Sequence, residues 1–124
     1  MLKNNMLLTD FYKLESISKG ADHYTCVIKL NPDHPVYKGH FPDHPVTPGV
    51  CMMSIIKECA SEALQQTLRY SQVHSCKFLS VVNPQEQSVL DLSFSVSEQR
   101  DIQAILSAGE KQVLKLKASL TPVL

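Results

Sequence analysis

The segment GHFPDHPVTPGV, residues 39–50, runs straight into VCMMSIIKECASEALQQTL, and this junction constrains the fold more than any other stretch of the chain. Pro42, Pro45 and Pro48 each fix their own φ and bias the residue before them toward extended backbone, so His40 and its neighbours sit on a stiff, turn-rich loop. The next two turns, Val50, Cys51, Met52, Met53, Ile55 and Ile56, are apolar on nearly every side. A helix of that composition is not stable on a surface and has to be enclosed. Gly49 stands just ahead of it, so the N–H groups that open the helix are available to a developing negative charge. A base and an oxyanion site would then lie close together.

What could enclose the helix is visible in the alternation elsewhere. Tyr24, Cys26, Ile28 and Leu30 alternate with polar residues, and Phe11 to Leu30 reads as two strands about the turn Lys19-Gly20-Ala21-Asp22. After the helix, three further strands show the same period. They carry Leu90, Leu92, Phe94 and Val96, then Ile102, Ala104, Leu106 and Ala108, then Leu114, Leu116, Ala118 and Leu120, with a tight turn at Gly109-Glu110. One long helix followed by an antiparallel meander makes an α+β domain. The helix is expected from Val50 to about Tyr70, with Lys57, Glu58, Glu62, Gln65, Gln66 and Arg69 marking where it emerges into solvent.

The 124 residues fit a single domain spanning 1–124, and a formal net charge of zero without a basic cluster argues against a nucleic-acid binder. No apolar run approaches the roughly 20 residues that cross a bilayer, and no leader pattern opens the chain, so the expectation is a cytoplasmic protein without a membrane span. Cys26, Cys51, Cys59 and Cys76 lack the paired spacing of zinc sites or disulfide frameworks and read as buried thiols. Cys51, in the first helical turn, is where a dipole could lower a thiol pKa. His34, His40 and His44 share the loop without helical i, i+4 geometry, so no metal is expected. PDHPV occurs twice, at 32–36 and 42–46, too short a unit for a repeat architecture.

At GHFPDHPVTPGV and the helix behind it the chain resembles the hotdog-fold 3-hydroxyacyl-[acyl carrier protein] dehydratases. Their motif reads roughly GHFPxxPxxPGV. LLTDFYKLESISKG looks like that family's first strands, and KFLSVVNPQEQSVLDLSFSV like its later strand, turn and long strand. The resemblance implies a sheet wrapped around a central helix, dimers joined sheet edge to sheet edge with sites shared between subunits, and no cofactor. It also implies dehydration of a (3R)-hydroxyacyl thioester, carried on acyl carrier protein, to the trans-2-enoyl product.

Carried over residue by residue, His40 is the acid–base group and the Gly49 N–H binds the thioester carbonyl. The helix carboxylate expected fourteen positions after the histidine is replaced by Ser54. A serine hydroxyl can hold a substrate hydroxyl or a water but is not a ready proton donor near neutral pH; a hydrogen bond to a carbonyl one turn back is its alternative use. His44, four residues along the loop, and Glu58, one turn beyond Ser54, are the candidate substitute acids. Glu58 is otherwise expected to be solvated beside Lys57.

Phe41, Val50, Met52, Met53 and Phe78, with Ile56, are candidate walls of an acyl tunnel, and ordinary core packing accounts for the same residue types. HPVYKGHFPDHPVTPGVCMMSIIKE is similar to dehydratase-like members associated with aryl-polyene or flexirubin-type pigments. The competing expectations are a non-catalytic subunit that binds acyl carrier protein or pairs with an active homologue, and an acyl thioesterase.

Overall fold

The protein was analysed as a computed structural model, which describes residues 10–38 and 45–123. Six strands and one helix follow the order β1 (Tyr12–Lys19), β2 (Tyr24–Leu30), α1 (Gly49–Leu64), β3 (Leu68–Phe78), β4 (Val89–Val96), β5 (Asp101–Ala108) and β6 (Lys111–Pro122), with a short 3-10 turn at Pro35–Lys38. The strands form one antiparallel sheet in the order β1-β2-β4-β5-β6-β3. This is the α+β hotdog arrangement expected from the sequence. Among the described residues no helix is long and apolar enough to cross a membrane.

Alternation decides which face meets the helix. Cys26, Ile28 and Leu30 of β2 are buried against Leu90, Leu92 and Phe94 of β4, and Ile102, Ala104 and Leu106 of β5 extend the same apolar face to Leu114, Leu116, Ala118 and Leu120 of β6. Ile55, Ile56, Cys59 and Ala60 of α1 join them in one contiguous core at or near zero exposure. Burying each large side chain of this set is worth roughly 1.5–3 kcal/mol. The helix therefore holds the sheet together as much as the sheet encloses the helix.

Two expectations about α1 are corrected. It stops at Leu64 rather than near Tyr70, because Gln65 takes a left-handed conformation (φ 54, ψ 40) and its N–H turns back to the Glu62 carbonyl. The following residues belong to β3, an eleven-residue edge strand paired with β6, in which Tyr70 is opposite Leu120. Register shifts at Tyr70/Gln72 and Val73/Ser75 break the period-two alternation there, which is why the strand does not announce itself in sequence. Nor does the polar half of the helix simply emerge into solvent: Glu58 is only 5% exposed. The tight turn at Gly109 is as expected, with φ +64.

The junction of α1 and β3 is sealed by Ser61. Its hydroxyl donates to the Lys57 carbonyl at 2.9 Å and accepts the Leu68 N–H at 3.0 Å. Replacing Ser61 by Ala would strand a buried N–H, so Ser61→Ala is expected to cost about 1–3 kcal/mol in urea unfolding; an unchanged midpoint would show that water satisfies Leu68 instead.

Candidate active site

The start of α1 is fixed by the chain just before it. Thr47 donates its N–H to the Val82 carbonyl at 2.8 Å, and its hydroxyl shares a buried hydrogen bond with the Tyr37 hydroxyl at 3.1 Å. Tyr37 is itself stacked on Phe11, whose ring meets His34 edge-on. Pro48 then holds extended backbone (φ −62, ψ 142), and the Cys51 and Met52 N–H groups bond back to its carbonyl. The N–H groups of Gly49 and Val50 precede the first intrahelical acceptor and so have no partner within the helix. They open at the positive end of the α1 dipole, where an oxyanion is stabilised.

A close contact explains the glycine. A Cβ built on Gly49 would lie 2.6 Å from Cε1 and 2.7 Å from Cζ of Phe78, so the aromatic ring of β3 rests directly on the Gly49 backbone. Phe78 is 53% exposed and Val50 is 73% exposed. Leu79 and Val81, which follow Phe78 on the way to Val82, are exposed as well. A glycine at the helix start thus lets an aromatic ring approach the backbone where two N–H groups have no intrahelical partner, with exposed apolar residues around it.

The other candidates separate. Met52 and Ile56 are buried core residues, at 3% and 0% exposure. Met53 is half-buried, and its carbonyl accepts the Tyr70 hydroxyl at 2.7 Å, tying α1 to β3. Ser54 is half-buried, and its hydroxyl makes no hydrogen bond among the described residues; the serine that bonds back one turn is Ser61. His40, Phe41 and His44 lie outside the described residues.

Glu58 shares a helix face with Ser54, as the four-residue spacing requires, but points into the protein, where its Oε1 accepts the Tyr12 hydroxyl at 2.8 Å. Burial, first, and then the neighbouring Cys59 and Glu58 push the Tyr12 phenol far above its ordinary value. Tyr12 belongs to the inward row of β1, a position that the alternation around Leu14 marks but that no site motif singles out.

His34, the histidine of the loop that is described, accepts the Val36 N–H on Nδ1 at 3.1 Å and serves a turn. Cys51 does not gain from the helix terminus: burial pushes its thiol up, away from the reactive thiolate. Cys26 and Cys59 share a hydrogen bond between strand and helix, which together with burial pushes the Cys59 thiol up. All four cysteines are free.

Gly49→Ala is expected to destabilise the fold by about 1–3 kcal/mol through overpacking against Phe78. Adding Phe78→Ala should recover most of that loss, and a double-mutant cycle in urea that showed strict additivity would exclude the contact.

Comparison with known proteins places this arrangement. A family profile described as "ApeI-like: ApeI dehydratase" matches residues 16–117. A 3-hydroxyacyl-[acyl-carrier-protein] dehydratase FabZ of Streptococcus pyogenes serotype M3 is 29% identical, with 94% of this chain and 84% of that protein covered. The FabZ of Caldanaerobacter subterraneus is 29% identical over 49% of this chain, and the chain spans 48% of that relative's length. For the FabZ of Lactobacillus helveticus, also 29% identical, the shares are 72% and 63%. Among solved structures, the dehydratase heterocomplex ApeI:P from Xenorhabdus doucetiae superposes with a TM-score of 0.75 at 20% identity, over 87% of this chain and 96% of that one. A hypothetical thioesterase with coenzyme A from Streptococcus pneumoniae gives 0.60 at 12%, over 97% and 94%.

Proposed function

The chain belongs to the ApeI-like dehydratase family, and from that premise we propose that it dehydrates a (3R)-hydroxyacyl thioester, presented on acyl carrier protein, to the trans-2-enoyl thioester. The observation that carries the reading is the start of α1, where the Gly49 and Val50 N–H groups are free of intrahelical bonds and Phe78 packs on Gly49. A thioester carbonyl seated there would gain charge as its α-carbon loses a proton. One donor of that kind is worth roughly 3 kcal/mol in acyl chemistry.

His40 is the proposed base. It takes the C2 proton, electron density moves onto the thioester oxygen held by Gly49, and the enolate-like species expels the C3 hydroxyl. That hydroxyl leaves as water, receiving a proton from the imidazolium or from a second acid that the imidazolium then reprotonates, so the substrate loses one H and one OH and the enzyme returns unchanged. Ser54 stands where the resembled motif has its carboxylate and would hold the hydroxyl or a water rather than supply a strong acid. Glu58, whose Oε1 holds the Tyr12 hydroxyl, and His44 are the candidate donors of that proton.

A weak acid is tolerable when elimination itself is easy. A 3-hydroxyl beside a polyene or aryl group gives a conjugated product, and we infer an acyl chain of that aryl-polyene or flexirubin type. His40→Ala is expected to lower kcat/KM by about 10²- to 10⁴-fold and Ser54→Glu to raise turnover of saturated substrates. The native protein should prefer conjugated over saturated 3-hydroxyacyl thioesters, read by product mass; equal rates would remove the conjugation argument. Activity confined to Ser54→Glu would instead favour the runner-up, a carrier-binding or partner subunit, for which the Ser54 replacement is the supporting observation.

We infer the subunit arrangement from β3. Its free edge is eleven residues long and carries Val73, 41% exposed, and Phe78. A long, partly apolar edge invites pairing. A second copy joined there would extend the sheet and give a homodimer. Val73→Lys, which places a charge on that edge, should shift sedimentation toward the monomer; a native protein that sediments as a monomer would sink the pairing.

A further inference from the structure

Glu58 is a carboxyl set where a helix ordinarily carries an apolar side chain. It is 5% exposed, beside Ile55, Cys59 and Ala60 of the same helix, which are wholly buried. Burying a polar group is costly unless it is hydrogen-bonded. Tyr12 of β1 supplies the bond, its hydroxyl donating to Glu58 Oε1 at 2.8 Å across forty-six residues of sequence. Two apolar side chains of the same shape would join these elements about as well, so packing alone does not account for a carboxyl here.

The phenol is built to remain a donor. Burial, ahead of the nearby Cys59 and Glu58, pushes its pKa far above the ordinary value, so Tyr12 cannot supply a proton and can only fix the carboxyl. Its own place is fixed by the sheet. Tyr12 lies opposite Leu30 of β2, and the carbonyl of the preceding Phe11 accepts the Asn31 N–H at 2.8 Å. The other titratable groups that face the pair are Cys59 and Glu62 of α1 and Cys26 of β2. Its bond to Cys26, and then burial, push the Cys59 thiol up, so it too keeps its proton. Of the two carboxyls, Glu58 is a turn closer to Gly49.

We propose that Tyr12 is a positioning residue for the dehydration: it holds the Glu58 carboxyl so that its proton reaches the departing C3 hydroxyl by way of Ser54. The proposal rests on the dehydratase reading above. Distance along the helix calls for the relay. Glu58 stands roughly 13.5 Å beyond Gly49 along the axis, and Ser54 roughly 7.5 Å. Helical side chains lean toward the N-terminus, and the four-residue spacing puts the Cβ atoms of Ser54 and Glu58 about 5–6 Å apart on one face. Ser54 is half-buried, and its hydroxyl makes no hydrogen bond among the described residues. A hydroxyl both accepts and donates, so it can pass on a proton that it does not itself generate.

The step balances. His40 takes the C2 proton, and the electron pair of that C–H bond becomes the C2=C3 double bond through the enolate-like species. The C3–O bond breaks with its pair on oxygen. That oxygen takes the Ser54 hydroxyl proton and leaves as water, Ser54 takes the Glu58 proton, and the His40 imidazolium reprotonates Glu58.

Variants of the full chain separate this role from a structural tie, with a 3-hydroxyacyl N-acetylcysteamine thioester as substrate and urea unfolding as the control. Glu58→Gln keeps an acceptor for the Tyr12 hydroxyl and loses the proton; kcat should fall about 10²-fold, with KM and the urea midpoint near native. Tyr12→Phe keeps the ring and loses the donor; kcat should fall about ten-fold at unchanged KM. A hydrogen bond donated to a carboxylate favours its ionised form, so losing it should move the alkaline limb of the kcat profile to higher pH. Added to Glu58→Gln, Tyr12→Phe should cost nothing further in kcat, because the phenol acts through the carboxyl. Ser54→Ala should lower kcat about ten-fold.

Native kcat in Glu58→Gln or in Ser54→Ala would overturn the proposal and leave the dehydratase reading standing. A Tyr12→Phe variant whose urea midpoint falls while its alkaline limb stays in place would do the same, and that profile decides the matter if Glu58→Gln fails to fold. A native chain that leaves the thioester intact overturns both readings.

Discussion

Enclosure of α1 is the constraint on which everything else rests. Ile55, Ile56, Cys59 and Ala60 have no exposure at all, and they are covered from several directions by β2, β4, β5 and β6. A sheet that wraps a helix must keep one face apolar along every strand, and the clean alternation of β4, β5 and β6 is the consequence. The other face is left to solvent.

The position of the helix along its groove is set by polar ties rather than by the core. Thr47 to Val82, Tyr37 to Thr47 and Tyr70 to the Met53 carbonyl pin its first turns, and Ser61 pins its end to β3. These bonds hold the Gly49 backbone against Phe78. N–H groups without an intrahelical partner are common at a helix start; here the aromatic ring packed on Gly49 comes from the end of an edge strand.

Much of this was legible in the order of residues. Period-two apolar alternation marked β2, β4, β5 and β6, and the all-round apolar start of α1 marked a helix that needed covering. Periodicity did not reveal β3, of which only the Lys77-Phe78 end was read, by resemblance, because its two register shifts scramble the alternation and its edge position leaves Val73 and Phe78 exposed. Glu58 was misread for a related reason. A carboxylate beside Lys57 looks solvated in one dimension, whereas the Tyr12 hydroxyl that makes its burial tolerable arrives from a strand forty-six residues away.

The sequence by itself determined the α+β class, the apolar face of the sheet and the Pro48-Gly49 entry into the helix, since all three follow from local periodicity and local backbone restriction. Tertiary structure alone decided that Phe78 covers Gly49 and that Glu58 turns inward to Tyr12. Each of these depends on strand register, which is fixed by the packing of the whole sheet and leaves no signature in neighbouring residues.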